Sequence, residues 1–198
     1  LFEYRITKVL GHGGFGITYL ARDTVLDTDV AIKEYLPSDL AFRASHTHVA
    51  VRTASDTDAF QWGLKQFLKE AQTLARFAHP NLVRVRRFFE ANGTAYFVME
   101  YAHGEPLSAL LKRENTLPEA RIRAVLDPLL EALEGVHAAE ILHRDIKPDN
   151  IILLADGRPL LIDFGAARLQ LGQKTQSFLS MYTAGYGPVE QYSGNGEQ

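Results

Sequence analysis

The sequence predicts an α+β fold, with a small antiparallel β-sheet lobe that carries one main helix, followed by a mainly helical lobe. Short apolar runs separated by turn residues fill the first hundred residues, and one stretch of helical spacing interrupts them. The segment His103–Pro106 has the composition of a linker, and helical patterns follow it. We therefore expect one lobe over 1–102, with an insertion at about 34–57, and a second over 103–198.

The composition argues against several classes of function. With 198 residues, 46% of them hydrophobic, the chain can bury a sizeable core. A formal net charge of -3 argues against a nucleic-acid partner. The absence of cysteine suits a reducing compartment, so we expect a cytoplasmic location. No apolar run approaches the roughly 20 residues that span a bilayer, so we expect no membrane contact from this segment.

A glycine-rich turn opens the first lobe. Two strand patterns, Arg5–Leu10 and Ile17–Ala21, flank Gly11–Gly16, which reads Gly-His-Gly-Gly-Phe-Gly. Glycines let the backbone come close to phosphate groups. A dinucleotide-binding fold would need a helix after the glycines, whereas the residues that follow have a strand pattern. We predict a β-hairpin whose turn binds phosphate.

The next strand, Val30–Lys33, ends in a lysine, which in most strands is a solvated edge residue. The segment 34–57 after it has little clear periodicity, so we predict an inserted loop or a small hairpin there, with no role assigned. Its two histidines, His46 and His48, have no nearby acidic or cysteine partner, so a metal site is not expected there.

The main helix of the first lobe is predicted from Asp58 onwards, with Asp58 as its N-cap. Apolar residues recur at helical spacing, and Glu70 lies beside that apolar face. Glu70 is either the partner of Lys33 or part of a surface pair with Arg76 or Lys69.

Two further strands, Leu82–Glu90 and Ala95–Glu100, are separated by Asn-Gly, a strong hairpin signal. In the second lobe we predict a short helix over Leu107–Arg113. A long helix should follow a capping box over Thr116–Glu119 and bend at Pro128. Its expected buried face comprises Ile122, Val125, Leu126, Leu129, Leu130, Leu133 and Val136.

The stretch His143–Asn150 places an acid, a cation and an amide within one short loop. Asp145 could accept a hydroxyl proton, Lys147 could face a phosphate and Asn150 could hold magnesium, which is the chemistry of phosphoryl transfer. A strand over Leu160–Ile162 then leads into Asp-Phe-Gly at 163–165. Alone, a loop of this kind can also be an ordinary charged turn.

Taken in order, the glycine turn, Lys33, Glu70, the His143–Asn150 loop and the Asp-Phe-Gly motif resemble the signature set of protein kinases. Ile-Lys-Glu-Tyr-Leu-Pro, which begins at Ile32, resembles the bacterial branch of Ser/Thr protein kinases. The resemblance implies a two-lobed protein-kinase-like fold that uses ATP and Mg²⁺. It also implies further helices after Glu190, so we expect an incomplete large lobe.

The resemblance implies roles for individual residues. The catalytic set is Asp145, Lys147, Lys33 and Glu70. The nucleotide-binding set is Leu10, Gly11, Gly13, Gly16, Thr18, Ala31, Lys33, Met99, Glu100, Ala102, Glu105 and Ile152. The metal ligands are Asn150 and Asp163, and the regulatory set is Arg144, Arg168, Thr175, Ser177, Ser180 and Thr183.

The implied function is transfer of the γ-phosphate of ATP to Ser/Thr hydroxyls of protein substrates, including its own activation loop, and a second copy of the chain is one expected partner. Arg144 beside Asp145 suggests control by loop phosphorylation. Two alternatives stay open. One is an ATP-binding pseudokinase or interaction module without turnover, and the other is a small-molecule kinase of the same fold.

Overall fold

The computed structural model describes residues 1–139, 141–143, 145–164, 168–169 and 186. The chain divides into two compact units. The first unit consists of Leu1–Ala78 and Arg84–Tyr101, and the second consists of His79–Val83 and Ala102–Gln198.

The first unit is built on an antiparallel sheet in the order β1-β2-β3-β7-β6. A separate two-stranded hairpin, β4-β5, lies in the chain between β3 and the main helix. Its elements are β1 (Tyr4–Gly13), β2 (Gly16–Asp23), β3 (Thr28–Tyr35), β4 (Ala41–Arg43), β5 (Val49–Val51), a 3₁₀ turn (Ala54–Asp56), α1 (Thr57–Leu74), β6 (Val85–Ala91) and β7 (Thr94–Glu100).

Strand β3 lies in the middle of this sheet and is buried on both faces. Alternate residues of a strand point to opposite faces. On one face, Val30 and Ile32 join a buried cluster with Tyr96 and Val98. On the other face α1 packs against the sheet, and the rings of Phe67 and Phe97 have centroids 4.8 Å apart. The core therefore has two layers, separated by the sheet.

Two turns and one helix start of this unit can be compared with the predictions from the sequence. The glycine turn is tighter than predicted, because β1 and β2 pair up to their ends at Gly13 and Gly16. The predicted Asn-Gly turn is confirmed, and Asn92 and Gly93 both have positive φ, 55° and 75°. Asp58 as N-cap is wrong: α1 begins at Thr57 after Asp56, which makes no side-chain capping bond.

Another strand prediction was too long. Leu82 belongs to the second unit and forms only an isolated parallel bridge with Leu161, so β6 begins at Val85 rather than at Leu82. The inserted segment contains the short hairpin that the sequence left open as one of two alternatives.

The second unit combines short strands with two helices in the part of the chain that the structure describes. Strands β8, β10 and β11 form one antiparallel sheet, and β9 pairs with β12. The elements are β8 (Gly104–Pro106), α2 (Leu107–Glu114), α3 (Glu119–Ala138), β9 (Ile141–Leu142), a 3₁₀ turn (Pro148–Asn150), β10 (Ile151–Leu154), β11 (Pro159–Leu161) and β12 (Arg168–Leu169).

Helix α3 corrects two predictions. Its N-cap is Pro118 without a side-chain capping bond, so the capping box from Thr116 does not form. The helix continues through Pro128. The buried face is narrower than expected, and among the described elements α3 packs mainly against β9 and β11. Of the predicted positions, Val125, Leu129, Leu133 and Val136 are buried, whereas Ile122, Leu126 and Leu130 are exposed.

The α+β fold class is thereby confirmed. Within the described residues, none of the helices is both long enough and apolar enough to cross a membrane.

Candidate catalytic and nucleotide-binding residues

In the second unit, two residues of the His143–Asn150 loop converge on the carboxylate of Asp145. Its Oδ2 lies 2.9 Å from the Lys147 Nζ, and it accepts a 2.9 Å hydrogen bond from the Asn150 amide nitrogen. Asn150 also donates to the Asp145 backbone carbonyl at 2.8 Å. The three residues meet because the 3₁₀ turn Pro148–Asn150 folds the loop back, and the Asn150 N–H donates to the Lys147 carbonyl. The structure thus brings together an acid, a cation and an amide.

His143 connects this loop to the Asp-Phe-Gly motif. Its side chain is buried, and its Nδ1 accepts the Asp145 backbone N–H at 3.3 Å. Its Nε2 lies 3.2 Å from the Ile162 carbonyl, and its ring centroid is 4.3 Å from that of Phe164. Sequence reasoning gave His143 no role, although its place at the start of the loop was a usable signal.

Asp163 follows directly on this connection. Its φ of 60° is in the left-handed region, which aspartate tolerates better than most residues. The Ile162 N–H donates to the Asn150 carbonyl at 2.9 Å, so the two predicted metal ligands lie on backbone segments that are bonded to each other.

The donor chemistry of these two residues fits magnesium. Mg²⁺ in phosphoryl-transfer sites is held by one or two carboxylates together with phosphate oxygens and water. Asp163 supplies a carboxylate. The Asn150 amide nitrogen is engaged by Asp145, so its amide oxygen would be the ligand atom. Among the described residues, no group of three or more His, Cys, Asp or Glu side chains could hold a metal by itself.

In the first unit, the predicted nucleotide-binding residues lie on neighbouring strands. Lys33 on β3 is 7% exposed, faces Thr18 and Phe97 in the sheet, and has its Nζ 5.7 Å from the Phe97 ring centroid. Ala31 pairs with Met99 in the same sheet, and both are buried. Glu70 is half-buried on α1.

The three predicted phosphate-loop glycines differ in what surrounds them. A Cβ on Gly16 would lie 1.8 Å from the Glu34 carbonyl oxygen, so packing requires glycine there. A Cβ on Gly11 or Gly13 would meet no atom of the described residues within 4 Å. Leu10, beside Gly11, is exposed. Packing among the described residues therefore does not explain the first two glycines, whereas close approach of a phosphate would.

The remaining predicted nucleotide-binding residues include two glutamates with ion-pair partners. Glu100 lies on β7 with its Oε1 3.6 Å from an Arg86 guanidinium nitrogen. Glu105 on β8 is held by both terminal nitrogens of Arg113, and the hydrogen bond from Arg113 lowers the pKa of this carboxyl. Ile152, on β10, pairs with Pro106, and Ala102 is half-buried.

Several regulatory predictions fall outside the described residues: Arg144, Thr175, Ser177, Ser180 and Thr183. For Arg168 the structure gives the backbone alone, which pairs with Leu142 in β12-β9.

Comparison with known protein families matches residues 4–195 to the protein kinase domain. The chain belongs to the protein kinase family. This kinase chain is 35% identical to the serine/threonine-protein kinase PknA of Nostoc sp., over 97% of the chain and 33% of PknA. It is 34% identical to the serine/threonine-protein kinase PknE of Mycobacterium tuberculosis, over 96% of the chain and 31% of PknE.

A solved structure described as PpkA-294 apo form gives a TM-score of 0.82 at 41% identity, covering 96% of this chain and 68% of that one. The kinase-like fold expected from the signature residues is thereby confirmed. The kinase chain spans about a third of the length of the curated relatives it matches.

A polar cluster around the buried side chains of Glu34 and Tyr96 in the first unit was missed by sequence reasoning. It contains Glu34, Tyr19, Tyr96 and Arg43, and it lies on the face of β3 opposite Lys33. The sequence placed Glu34 in the inserted segment after a strand that ended at Lys33, whereas β3 continues to Tyr35 and contains Glu34.

Proposed function

We propose that this kinase chain transfers the γ-phosphate of ATP to serine and threonine hydroxyls of proteins. The observation that carries the proposal is the convergence of Lys147 and Asn150 on the Asp145 carboxylate, within a loop bonded to the Asp163 segment. Membership of the kinase family supports it.

Asp145 is the proton acceptor of the proposed reaction. The substrate hydroxyl oxygen forms a bond to the γ-phosphorus, the bond from that phosphorus to the β-γ bridging oxygen breaks, and ADP leaves with its electron pair. The hydroxyl proton passes to the Asp145 carboxylate. With 22% of its side chain exposed, this carboxylate can be reached by a substrate.

Lys147 and Asn150 hold Asp145 in place and carry further roles. The Lys147 ammonium, 2.9 Å from Asp145, offsets negative charge on the transferring phosphoryl group. Asn150 and Asp163 would hold Mg²⁺, which neutralises phosphate charge when bound. Lys33 binds the α- and β-phosphates and pairs with Glu70.

The nucleotide-binding residues belong to the same proposal. The glycine turn covers the phosphates, Ala31 packs on adenine, and the backbone of Glu100 and Ala102 bonds it. Glu105 reaches the ribose, which requires Arg113 to share or release its carboxylate. We assign 1–102 to the kinase N-lobe and 103–198 to part of the C-lobe.

Control by phosphorylation and the choice of partners complete the proposal. Thr175, Ser177 and Ser180 are the proposed autophosphorylation sites, with Arg144 and Arg168 as phosphate anchors and Thr183 near the catalytic aspartate. Protein substrates, including a second copy of the chain, are met in the cytoplasm. Peptide mass spectrometry after incubation with Mg-ATP should find phosphate between Gln170 and Tyr182, and its absence would count against autophosphorylation.

The function is tested by incubating the chain with Mg²⁺, ATP labelled at the γ-phosphate and a generic basic protein, followed by phosphoamino-acid analysis. We expect phosphoserine and phosphothreonine in the parent and none above background with Asp145→Asn. Nucleotide binding without transfer would establish a pseudokinase instead. Label found on a small molecule would establish a small-molecule kinase.

A further inference from the structure

The inserted hairpin β4-β5 is fastened to the main sheet of the first unit. The Val49 N–H donates to the Asn92 carbonyl at 2.8 Å, at the turn between β6 and β7. Arg43 pairs with Val49 across the hairpin, and its guanidinium donates to the Glu34 carboxylate on β3. This end of the hairpin is therefore attached by two bonds to different parts of the sheet, one of which is an ion pair.

The Glu34 carboxylate at this attachment is almost completely buried, with 1% of its side chain exposed. Its Oε1 accepts the Tyr96 hydroxyl at 2.7 Å. Its Oε2 accepts the Tyr19 hydroxyl at 2.7 Å and the Arg43 guanidinium. A buried carboxylate is costly unless it is paired and hydrogen-bonded, and the charge here is matched by an arginine from the insertion.

The residues beside Glu34 connect it to the proposed phosphate-binding groups. Lys33 precedes it on the opposite face of β3. The Glu34 carbonyl lies where a Cβ on Gly16 would be. The Leu36 N–H donates to the Phe15 carbonyl at 2.9 Å, within the glycine turn. The end of β3 therefore sets the position of both the lysine and the turn.

Tyr35 continues this connection to α1, the helix that carries Glu70. Its ring centroid lies 5.2 Å from that of Phe60 and 5.5 Å from that of Phe67. A Cβ on Gly63 would lie 2.1 Å from the Tyr35 hydroxyl, so helix and tyrosine are in close contact. A shift of the end of β3 would reach α1 directly.

We propose that Arg43 is a positioning residue for phosphoryl transfer, and that the inserted hairpin is a brace that acts through the buried Glu34 carboxylate. The brace holds the end of β3, and with it Lys33, the glycine turn and α1, in the geometry that ATP requires. The inference rests on the kinase function proposed above and adds a role for the insertion.

Arg43→Met tests the brace, and Arg52→Met is the matched control. Arg52 is an exposed arginine of the same insertion whose Nε donates to the Ser38 carbonyl, also within the insertion, at 2.7 Å. We expect Arg43→Met to lower kcat/KM for ATP by about tenfold to a hundredfold, because small misplacements of reacting groups cost that much. The KM for the protein substrate should stay unchanged, and Arg52→Met should match the parent.

Three further variants separate positioning from general destabilisation. Arg43→Lys keeps the charge and should recover part of the loss. If Arg43 acts through Glu34, adding Arg43→Met to Glu34→Gln should change kcat/KM by less than about twofold beyond the single substitution. Circular dichroism at the assay temperature is used to confirm that each variant is folded.

The proposal is overturned if folded Arg43→Met has the kinetics of Arg52→Met, or if the two effects multiply in the double variant. The parent's own transfer rate tests the kinase function separately. If the parent transfers no phosphate, the affinity for a fluorescent Mg-ATP analogue replaces the rate: weaker binding in Arg43→Met alone supports the brace, and equal binding overturns it.

Discussion

Two carboxylates in this kinase chain are each surrounded by hydrogen-bond donors, yet their surroundings differ. Glu34 is 1% exposed and its donors come from three other strands, through Tyr19, Arg43 and Tyr96. Asp145 is 22% exposed, and Lys147 and Asn150 come from the same short loop. A buried carboxylate whose oxygens are all hydrogen-bonded stabilises the fold, whereas a partly exposed carboxylate can exchange a proton with a substrate.

Among the residues that surround the two carboxylates, Lys147 should give the largest effect, measured in Lys147→Met. Removing the cation beside Asp145 should lower the phosphate-transfer rate by about 10²–10³-fold, the typical cost of losing one group that stabilises transition-state charge. The free energy of unfolding should change by less than about 1 kcal/mol, because the ion pair is partly exposed. Steady-state kinetics and urea denaturation give the two values. Lys112→Met removes an exposed lysine of α2 and should change neither.

Besides the loss of kcat/KM that the proposed brace implies, Glu34→Gln should lower the stability of the fold. Replacing the carboxylate leaves Arg43 and a tyrosine hydroxyl imperfectly bonded, and we expect the free energy of unfolding to fall by about 1–3 kcal/mol. Glu90→Gln, at an exposed position in the same sheet, should stay within about 0.5 kcal/mol of the parent. Equal stability of the two variants in urea denaturation would remove the distinction between the two carboxylates.

The glycine turn provides a second test of the surroundings of Glu34, because Gly16 packs against the Glu34 backbone carbonyl. Gly16→Ala should lower the free energy of unfolding by about 1–3 kcal/mol, since its Cβ would overlap the Glu34 carbonyl. Gly13→Ala, whose Cβ meets no atom of the described residues, should change stability by less than about 0.5 kcal/mol. Thermal unfolding of both variants measures the difference. If the two lost equal stability, the close contact at Gly16 would be wrong.

The smallest expected effect is the alkaline titration of Tyr96. Burial raises the pKa of Tyr96 to about 12 from 10.0. The folded state thus holds the Tyr96 hydroxyl proton more tightly than the unfolded state does. The contribution of this group to the free energy of unfolding is therefore complete below pH 10 and is lost as pH rises towards 12. Tyr96→Phe should lose about 1 kcal/mol near neutral pH and show a shallower fall in stability above pH 10. Denaturation curves from pH 9 to 12 measure this, and parallel curves for parent and variant would contradict it.

The sequence was informative where the functional residues are close together in the chain. Asp145, Lys147 and Asn150 occupy one loop, and the 3₁₀ turn between them is enough to bring them together. The Asn92–Gly93 hairpin was predictable for the same reason, because its geometry depends on two residues.

The Glu34 cluster could not be predicted, because its partners are distant in the chain and meet only once the sheet and the inserted hairpin have formed. Strand alternation places Glu34 opposite Lys33 but does not reveal whether that face is covered. The prediction that Leu126 and Leu130 are buried was wrong for a related reason. Helical spacing places both leucines beside the apolar face of α3, but their burial depends on which elements pack against that side.

The most direct test of the account is the rate of phosphate transfer by Asp145→Asn relative to the parent, at saturating Mg-ATP and protein substrate. Asparagine keeps the shape and a hydrogen bond to Asn150 but cannot take the hydroxyl proton. We predict a loss of about 10²–10⁴-fold, the range for a missing general base, with nucleotide affinity retained. A rate within about tenfold of the parent would contradict the assignment of Asp145 as the catalytic carboxylate.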